Sequence, residues 1–377
     1  MLKRLVLLFA VLALVAAACG GDSGTEETTT TTEATGGGGG GEGGQATGDS
    51  TLDVVKNRGE LICGVSGTAV GFSETQPDGS ATGFDADYCR AVAAAVLGNA
   101  DAVQFRALTA AERFEALKNN EIDVLIRNTT WTQSRDTDIG MQFVATTYYD
   151  GQQMMANPET LPGVTSASSF DAIDGARVCT NAGTTTEKNI SEGARLNGAT
   201  ITLVTVETFP EAMEQFKAGA CDIVTTDGSG LFGNRAAEAN AGTPGAENWV
   251  IFPEAPISKE PLGPVVRQND DQWMDVVQWT VFATFIADEQ GVTSASIDGV
   301  VAEQTEGELA RLFGTSSDEL QTAMGLPNDA FYQVVKQVGN YGEIFQKNLT
   351  GPLNLQRTGS FNMQWLDGGL IYAPPAR

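Results

Sequence analysis

From about Thr51 onward, short continuous runs of apolar residues alternate with stretches in which apolar positions recur at helical spacing. Residues 60–65 form a run of the first kind and predict a strand. Tyr88, Val92 and Val96 stand at i, i+4 and i+8, a stripe that predicts a helix laid on a sheet, with Asp85 as its cap. A helical pattern returns over residues 329–346. Strand and helix signals that take turns along a chain predict α/β lobes with mostly parallel sheets.

One unit occurs twice. Thr109-Ala110-Ala111-Glu112 carries a capping-box signature, followed by Phe114 and Leu117 on one face, Lys118, a polar break, and Ile122-Asp123-Val124-Leu125-Ile126. Ninety-nine residues later Thr208-Phe209-Pro210-Glu211 opens the same way, followed by Met213, Phe216, Lys217 and Cys221-Asp222-Ile223-Val224-Thr225. Both read as capped helix, tight turn, buried strand. The overlay sets Asn128 on Asp227, each at or just past the carboxyl end of its strand. Ligands of open α/β sheets bind outside those ends. Two such lobes facing each other would put Asn128 and Asp227 on opposite walls of one cleft.

The first fifty residues have a different character. Lys3 and Arg4 precede an apolar run over residues 5–15, then Ala16, Ala17, Ala18 and Cys19. That is a secretory leader of the lipoprotein kind, ending at residue 19, with Cys19 as the lipidated residue. The run is too short for a resident membrane helix, which needs about 20 apolar residues. Residues 20–50 are Thr, Gly, Glu and Ser with almost nothing apolar to offset the entropy of ordering, and predict a disordered tether. As a Gly-rich coil it would span roughly 30 Å.

Charge and composition narrow the chemistry. Loss of Lys3 and Arg4 with the leader takes 22 basic residues to 20 against 48 acidic, moving the net charge from −26 to −28. So acidic a balance argues against nucleic acid as a partner. Histidine is absent, which removes Ser–His and Cys–His catalysis and His-ligated metals. No cofactor and no metal site are expected. Beyond Cys19 there are Cys63, Cys89, Cys179 and Cys221, an even number with three possible pairings and no CxxC spacing. Cys63 with Cys89 and Cys179 with Cys221 is the expected arrangement, because each bond then stays within one lobe.

Three segments could hold a ligand. Arg127-Asn128-Thr129-Thr130-Trp131-Thr132-Gln133-Ser134-Arg135 leaves the first repeated strand with hydroxyls, amides and the Arg135 guanidinium, which can clamp a carboxylate through two parallel hydrogen bonds. On spacing alone, Arg135 could equally pair with Asp136 or Asp138. Gly183-Thr184-Thr185-Thr186-Glu187 opens a helix with Thr184 and Glu187 as a capping box, offering free N–H groups to an anion. Asp227 ends a buried strand, where a carboxylate is costly unless paired. Arg135 for a carboxylate and Asp227 for an ammonium would make a trap for a zwitterion. The plainer alternative is that the two pair with each other.

Residues from about Leu52 to Arg377 resemble the general L-amino-acid-binding proteins of polar-amino-acid ABC importers. The matching segments are Gly83-Phe84-Asp85-Ala86-Asp87-Tyr88-Cys89, Asn128 to Asp136, Tyr148-Tyr149-Asp150-Gly151-Gln152, residues 257–264, residues 337–345 and the terminal residues 370–375. The resemblance implies a type II periplasmic-binding-protein fold: two α/β lobes, each a mixed, mostly parallel sheet flanked by helices, joined by two hinge crossings. Lobe 1 would be residues 51–150, lobe 2 residues 151–250, and residues 251–377 a return to lobe 1 with a helical extension. The crossings would fall at residues 149–152 and 249–253. By resemblance Arg135 matches the arginine that holds the ligand's α-carboxylate, with Thr130 beside it. Asp227 matches the acid for the α-ammonium, Thr185 the threonine at the second lobe's helix start, and Asn128 a backbone-carbonyl contributor. Asn181 and Arg127 stand where relatives also touch the ligand. Relatives carry an aromatic over the ligand side chain near Ala69; here Phe72 is the nearest. The implied protein is an extracytoplasmic, lipid-anchored monomer that is not an enzyme and passes amino acids to permease subunits. An enzyme on the same fold, dehydratase-like, or an amino-acid sensor is the alternative.

Overall fold

The computed structural model describes residues 50–377; the expected leader with Cys19 and the tether, its last residue Ser50 apart, lie outside the described residues. Ser50 starts α1 (Thr51–Arg58) by accepting from the Asp53 backbone N–H. The chain then runs through β1 (Leu61–Val65) and a small antiparallel sheet of β2 (Thr68–Ala69), β3 (Ser73–Thr75) and β4 (Ala81–Thr82). Next come α2 (Phe84–Leu97), β5 (Val103–Ala107), α3 (Arg113–Lys118), β6 (Val124–Leu125), α4 (Gln133–Thr137) and β7 (Met141–Phe143). After β8 (Tyr148–Asp150) the chain enters a second sheet with β9 (Gln152–Ala156). It continues through β10 (Arg177–Asn181), α5 (Thr185–Leu196), β11 (Thr202–Val206), α6 (Phe209–Lys217), β12 (Ile223–Asp227), α7 (Gly228–Asn240) and β13 (Val250–Phe252). It returns by β14 (Glu260–Leu262) and β15 (Val265–Arg267).

The two main sheets are built on one plan. The first has the order β5-β1-β6-β15-β7 and the second β11-β10-β12-β9-β13. In each, three parallel strands are followed by an antiparallel strand supplied by the chain just after it has crossed between sheets: β9 in the second, β15 in the first. The repeated unit of the sequence is thus α3 with β6 and α6 with β12. The side chains of Thr109 and Glu112 each accept from the other residue's backbone N–H ahead of α3, and those of Thr208 and Glu211 do so at α6. Side chains alternate across the second sheet: Met155, Cys179 and Val224 pack on one face, Met154, Val178 and Ile223 on the other.

The crossings are β8 and β14, which pair antiparallel with each other (Glu260 opposite Asp150), and the segments beyond them. Gly151 sits between β8 and β9 so close to the return crossing that a Cβ there would lie 2.5 Å from the Pro256 ring. The sequence expectation of a second crossing at 249–253 shifts: Val250–Phe252 is paired to β9, so the chain leaves the second sheet only after Phe252.

Two further expectations change. Asp85 does not cap α2. Gly83 is the N-cap, and Asp85 lies in the first turn, buried, with its carboxylate accepting from the Asn128 N–H at 2.6 Å. And α2 is buried almost all round, not on one stripe, because α8 (Asp271–Glu289) and the helices after it cover the face turned away from the sheet. These are α9 (Ile297–Glu303), α10 (Glu308–Phe313), α11 (Leu320–Ala323), α12 (Ala330–Gln337), α13 (Tyr341–Phe345) and α14 (Gly351–Leu353). The pattern over 329–346 is two helices, since Asn340 and Glu343 form a capping box that starts α13 afresh. The resulting core holds Trp273, Tyr341 and Phe345 against α2.

The cysteines pair as Cys63 in β1 with Cys89 in α2, and Cys179 in β10 with Cys221 just ahead of β12. With separations of 26 and 42 residues, each bond removes about 3–4 kcal/mol of unfolded-chain freedom in the loop-closure account.

Candidate functional site

A cavity of about 290 Å³ lies where the carboxyl ends of β1 and β6 face those of β10 and β12. It is just below the usual range for small-molecule sites, about 300–1,000 Å³. Asn128, Thr130, Arg135, Asn181, Thr184, Thr185, Asp227 and Phe72 all line it, as do Arg127 and Ala69.

On the first lobe the wall is set by the turn after β6. Asn128 is held at φ +36°, and its N–H is fixed by the buried Asp85 carboxylate. Burial pushes the Asp85 pKa up to about 7, against the Asn128 hydrogen bond and the Arg127 charge. Arg127 Nε donates to Leu108 O, so its side chain is anchored in its own lobe. Thr132 then caps α4 by accepting from the Arg135 N–H, which aims the Arg135 side chain inward. That guanidinium is buried, gives Nη1 to Thr130 O at 2.8 Å and lies 5.5 Å from the Phe114 ring centroid. Among the described residues no acid lies within 4.0 Å of it, Asp136 and Asp138 included.

On the second lobe Thr184 caps α5 and donates to Asn181 O, while Asn181 Nδ2 donates to Glu207 O. The capping is not reciprocal as expected: Glu187 accepts from Gly183 N–H, one residue before the cap. Asp227 is the N-cap residue of α7, yet its side chain makes no capping bond, and its Oδ1 is buried with no hydrogen-bond partner. Burial, then Asp150 and Glu260, push its pKa well up, with Arg135 and Arg113 opposing. Asp227 and Arg135 form no ion pair. Across the cleft the hydroxyls of Thr130 and Thr185 are 3.3 Å apart, and Thr185 also donates to Glu260 at 2.9 Å. Phe72 is buried edge-to-face on Phe84 and Tyr148, and it forms that part of the wall together with Ala69 and Val70.

Sequence reasoning missed several groups. Glu260 and Asp150 sit buried or nearly so in the two crossing strands, Glu260 accepting from Thr185, Asn189 and Ser258, Asp150 from Ser229. Phe209, the first residue of α6, supplies an aromatic wall from the opposite lobe. Arg113, the first residue of α3, is buried at the cavity. The repeat itself held a signal for Arg113: ninety-nine residues on, the same place is Ala212.

The raised acids set a pH dependence. Asp227 and Asp85 are joined by Asp150, pushed up to about 6 mainly by burial. A carboxyl whose folded pKa is raised gives stability that is full below its unfolded value, about 4, and is lost as pH rises through the folded value. The ligand-free protein should lose melting temperature between about pH 4 and 7. A bound cation beside Asp227 offsets that acid's share of the loss, so the gap between ligand-bound and ligand-free melting temperatures should widen as pH rises from about 4. A gap constant with pH would contradict this.

Residues 61–349 match the model of the bacterial extracellular solute-binding proteins, family 3. The glutamate/glutamine/aspartate/asparagine-binding protein of Rhodobacter capsulatus is 45% identical over 88% of this chain and 95% of its own length. The general L-amino acid-binding periplasmic protein of Rhizobium johnstonii is 42% identical over 89% of this chain and 95% of its own. Among solved structures, an ABC transporter periplasmic binding protein from Brucella ovis with glutathione bound is 43% identical, covers 88% of this chain and all of its own, and superposes with a TM-score of 0.81. The two sheets and their double crossing are the type II periplasmic-binding-protein fold, and the chain belongs to family 3 of the bacterial extracellular solute-binding proteins.

Proposed function

We propose that the chain is the substrate-binding component of an ABC importer. It takes free L-amino acids, of broad or polar range, into the interlobe cleft and delivers them to membrane permease subunits. It acts as a monomer and without a cofactor. The observation that carries this reading is a pair of buried, opposite charges on the two lobes that form no ion pair among the described residues: Arg135 with no acid within 4.0 Å, and Asp227 with a carboxylate oxygen that has no donor. Burying either group alone costs several kcal/mol, and a zwitterion would satisfy both at once. The α-carboxylate would take two guanidinium hydrogen bonds from Arg135 and one from the Thr130 hydroxyl. The α-ammonium would donate to Asp227 and the Asn128 carbonyl. Thr184, Thr185 and Asn181 complete the second wall, and Phe72 the apolar side. The names of the relatives support an amino-acid ligand.

Closure belongs to the same proposal. Lobe 1 (residues 51–150 with 251–377) and lobe 2 (residues 151–250) would swing about the β8 and β14 crossings, and the Thr130–Thr185 contact would form only when shut. The closed, loaded shape is what a permease would read. Asp227 supplies the counter-charge to the ammonium here, and the ligand leaves unchanged. Calorimetric titration of the refolded, ligand-stripped protein with the twenty L-amino acids tests this. One-to-one binding of several, each recovered intact, is expected. No binding across the panel would defeat the reading, and conversion of the ligand would favour a dehydratase-like enzyme.

The anchor is the proposal's other part. Cys19 would carry lipid, and residues 20–50 would hold the domain near an extracytoplasmic membrane face. Cys19→Ser should leave the protein in the soluble extracytoplasmic fraction where the native form sediments with membranes. Identical partitioning of the two would exclude the anchor.

A further inference from the structure

The cavity holds more buried positive charge than a simple zwitterion can balance. Arg113 is 3% exposed, makes no ion pair among the described residues, and its Nε has no hydrogen-bond partner. Its guanidinium lies 4.8 Å from the Phe114 ring centroid, and that of Arg135 lies 5.5 Å from the same centroid. One aromatic ring therefore carries both cations, next to the same cavity. An arginine does not escape such a place by losing its proton. Burial and the nearby Arg135 and Arg127 charges all work against the charged form, with only Asp227 helping.

The other charged groups of the cavity do not relieve it. Arg127 is tied to Leu108 O and faces Asp85. Glu112 is exposed and bonded to Thr109, and Glu207 is exposed at the mouth. Once Arg135 takes an α-carboxylate and Asp227 an α-ammonium, Arg113 is still without an anion. Packing does not call for an arginine either: the matching position in the second copy of the repeat is Ala212, fully buried in its own core.

Resting on the amino-acid reading above, we propose that Arg113 is a specificity-determining residue that receives a second, side-chain carboxylate, so that the cleft prefers acidic amino acids over their uncharged amides. The ligand then brings one ammonium and two carboxylates to one acid and two arginines. Each buried charge has a partner, and the Phe114 ring keeps the two guanidiniums at a set spacing. An amide oxygen can accept from Arg113 but leaves its charge uncompensated. Glutamine and asparagine are bound, but less tightly.

The test is calorimetric titration of the refolded, ligand-stripped protein with L-glutamate, L-glutamine and L-glutamate γ-methyl ester at pH 7.5 (about three units above the glutamate carboxyl pKa). The native protein is expected to bind glutamate at least about 10-fold more tightly than either uncharged analogue. Arg113→Met keeps most of the side-chain volume and removes the charge. It should weaken glutamate about 100-fold and glutamine less than about 5-fold, abolishing the preference, while Arg113→Lys retains part of it. Equal losses for glutamate and glutamine in Arg113→Met would mean that Arg113 only packs the wall. Equal binding of glutamate and its methyl ester by the native protein would overturn the inference with no variant needed. A native protein that binds glutamine but shows no glutamate preference defeats this inference alone, whereas one that binds none of the three defeats the amino-acid reading as well.

Discussion

Arg135→Ala should end the binding of every amino acid by about the same factor. The native guanidinium spends one donor on Thr130 O and forms no ion pair among the described residues, so most of its five donors remain for a ligand. The group it would meet, the α-carboxylate, is common to all the ligands, which is why the loss should not depend on the side chain. Removing one partner of a buried, hydrogen-bonded charge pair costs about 3–5 kcal/mol. That is a loss of about 100- to 5,000-fold in affinity. Arg135→Lys should recover only part of it, since a point charge cannot reproduce two parallel hydrogen bonds. Folding should survive, because Phe114 still packs against Arg113 and α4 keeps its Thr132 cap. Isothermal titration across several ligands reads the outcome. A variant that bound some amino acids normally would show that Arg135 belongs to the framework of α4 and not to the ligand.

The fold was legible because its plan is local. A capping box, an apolar helix face, a tight turn and a short buried strand are all near neighbours in sequence, and they occur twice. From that, the carboxyl ends of β6 and β12 followed, and with them Asn128 and Asp227. What escaped depends on contacts between distant segments. Asp85 has the residue type and position of a helix cap, yet its partner is Asn128, 43 residues away. The full burial of α2 needs α8 and α12, supplied by a part of the chain almost two hundred residues later or more. Glu260 and Asp150 lie on crossing strands of three residues, too short to show any period, and only their pairing brings them together. Arg113 stands beside Phe114 and Leu117 on a helix whose apolar face was plain, and one turn of a six-residue helix does not reveal which polar neighbours are buried. The comparison of the two repeats could have found it, since a charge opposite an alanine is a departure that packing does not need.

Asp227→Asn should separate ligands that carry an ammonium from those that do not. The carboxylate is buried, has an oxygen without a donor, and faces Asp150 and Glu260 with only Arg135 and Arg113 to offset them. In the free protein this is an unfavourable place for a negative charge. The asparagine variant should therefore melt no lower than the native protein, and higher near pH 7, as expected where a group is kept for binding at a cost in stability. Its effect on ligands runs the other way. An amino acid loses a desolvated ion pair, about 3 kcal/mol or more, and so about 100-fold in affinity. The matching hydroxy acid offers only a neutral hydroxyl to this site, and should weaken less than about 10-fold. The pH dependence makes the same distinction. In the native protein an amino acid must meet an ionised Asp227, so its affinity should rise with pH as the carboxyl titrates, and the slope should disappear in Asp227→Asn. Below its raised pKa Asp227 must give up a proton to meet the ammonium, so calorimetry at the acid end of that pH series, in buffers of different ionisation enthalpy, should detect proton release with the native protein and none with the variant. Equal losses for amino and hydroxy acids, with an unchanged pH slope, would remove the ammonium from this site and leave Asp227 as a buried acid with another role.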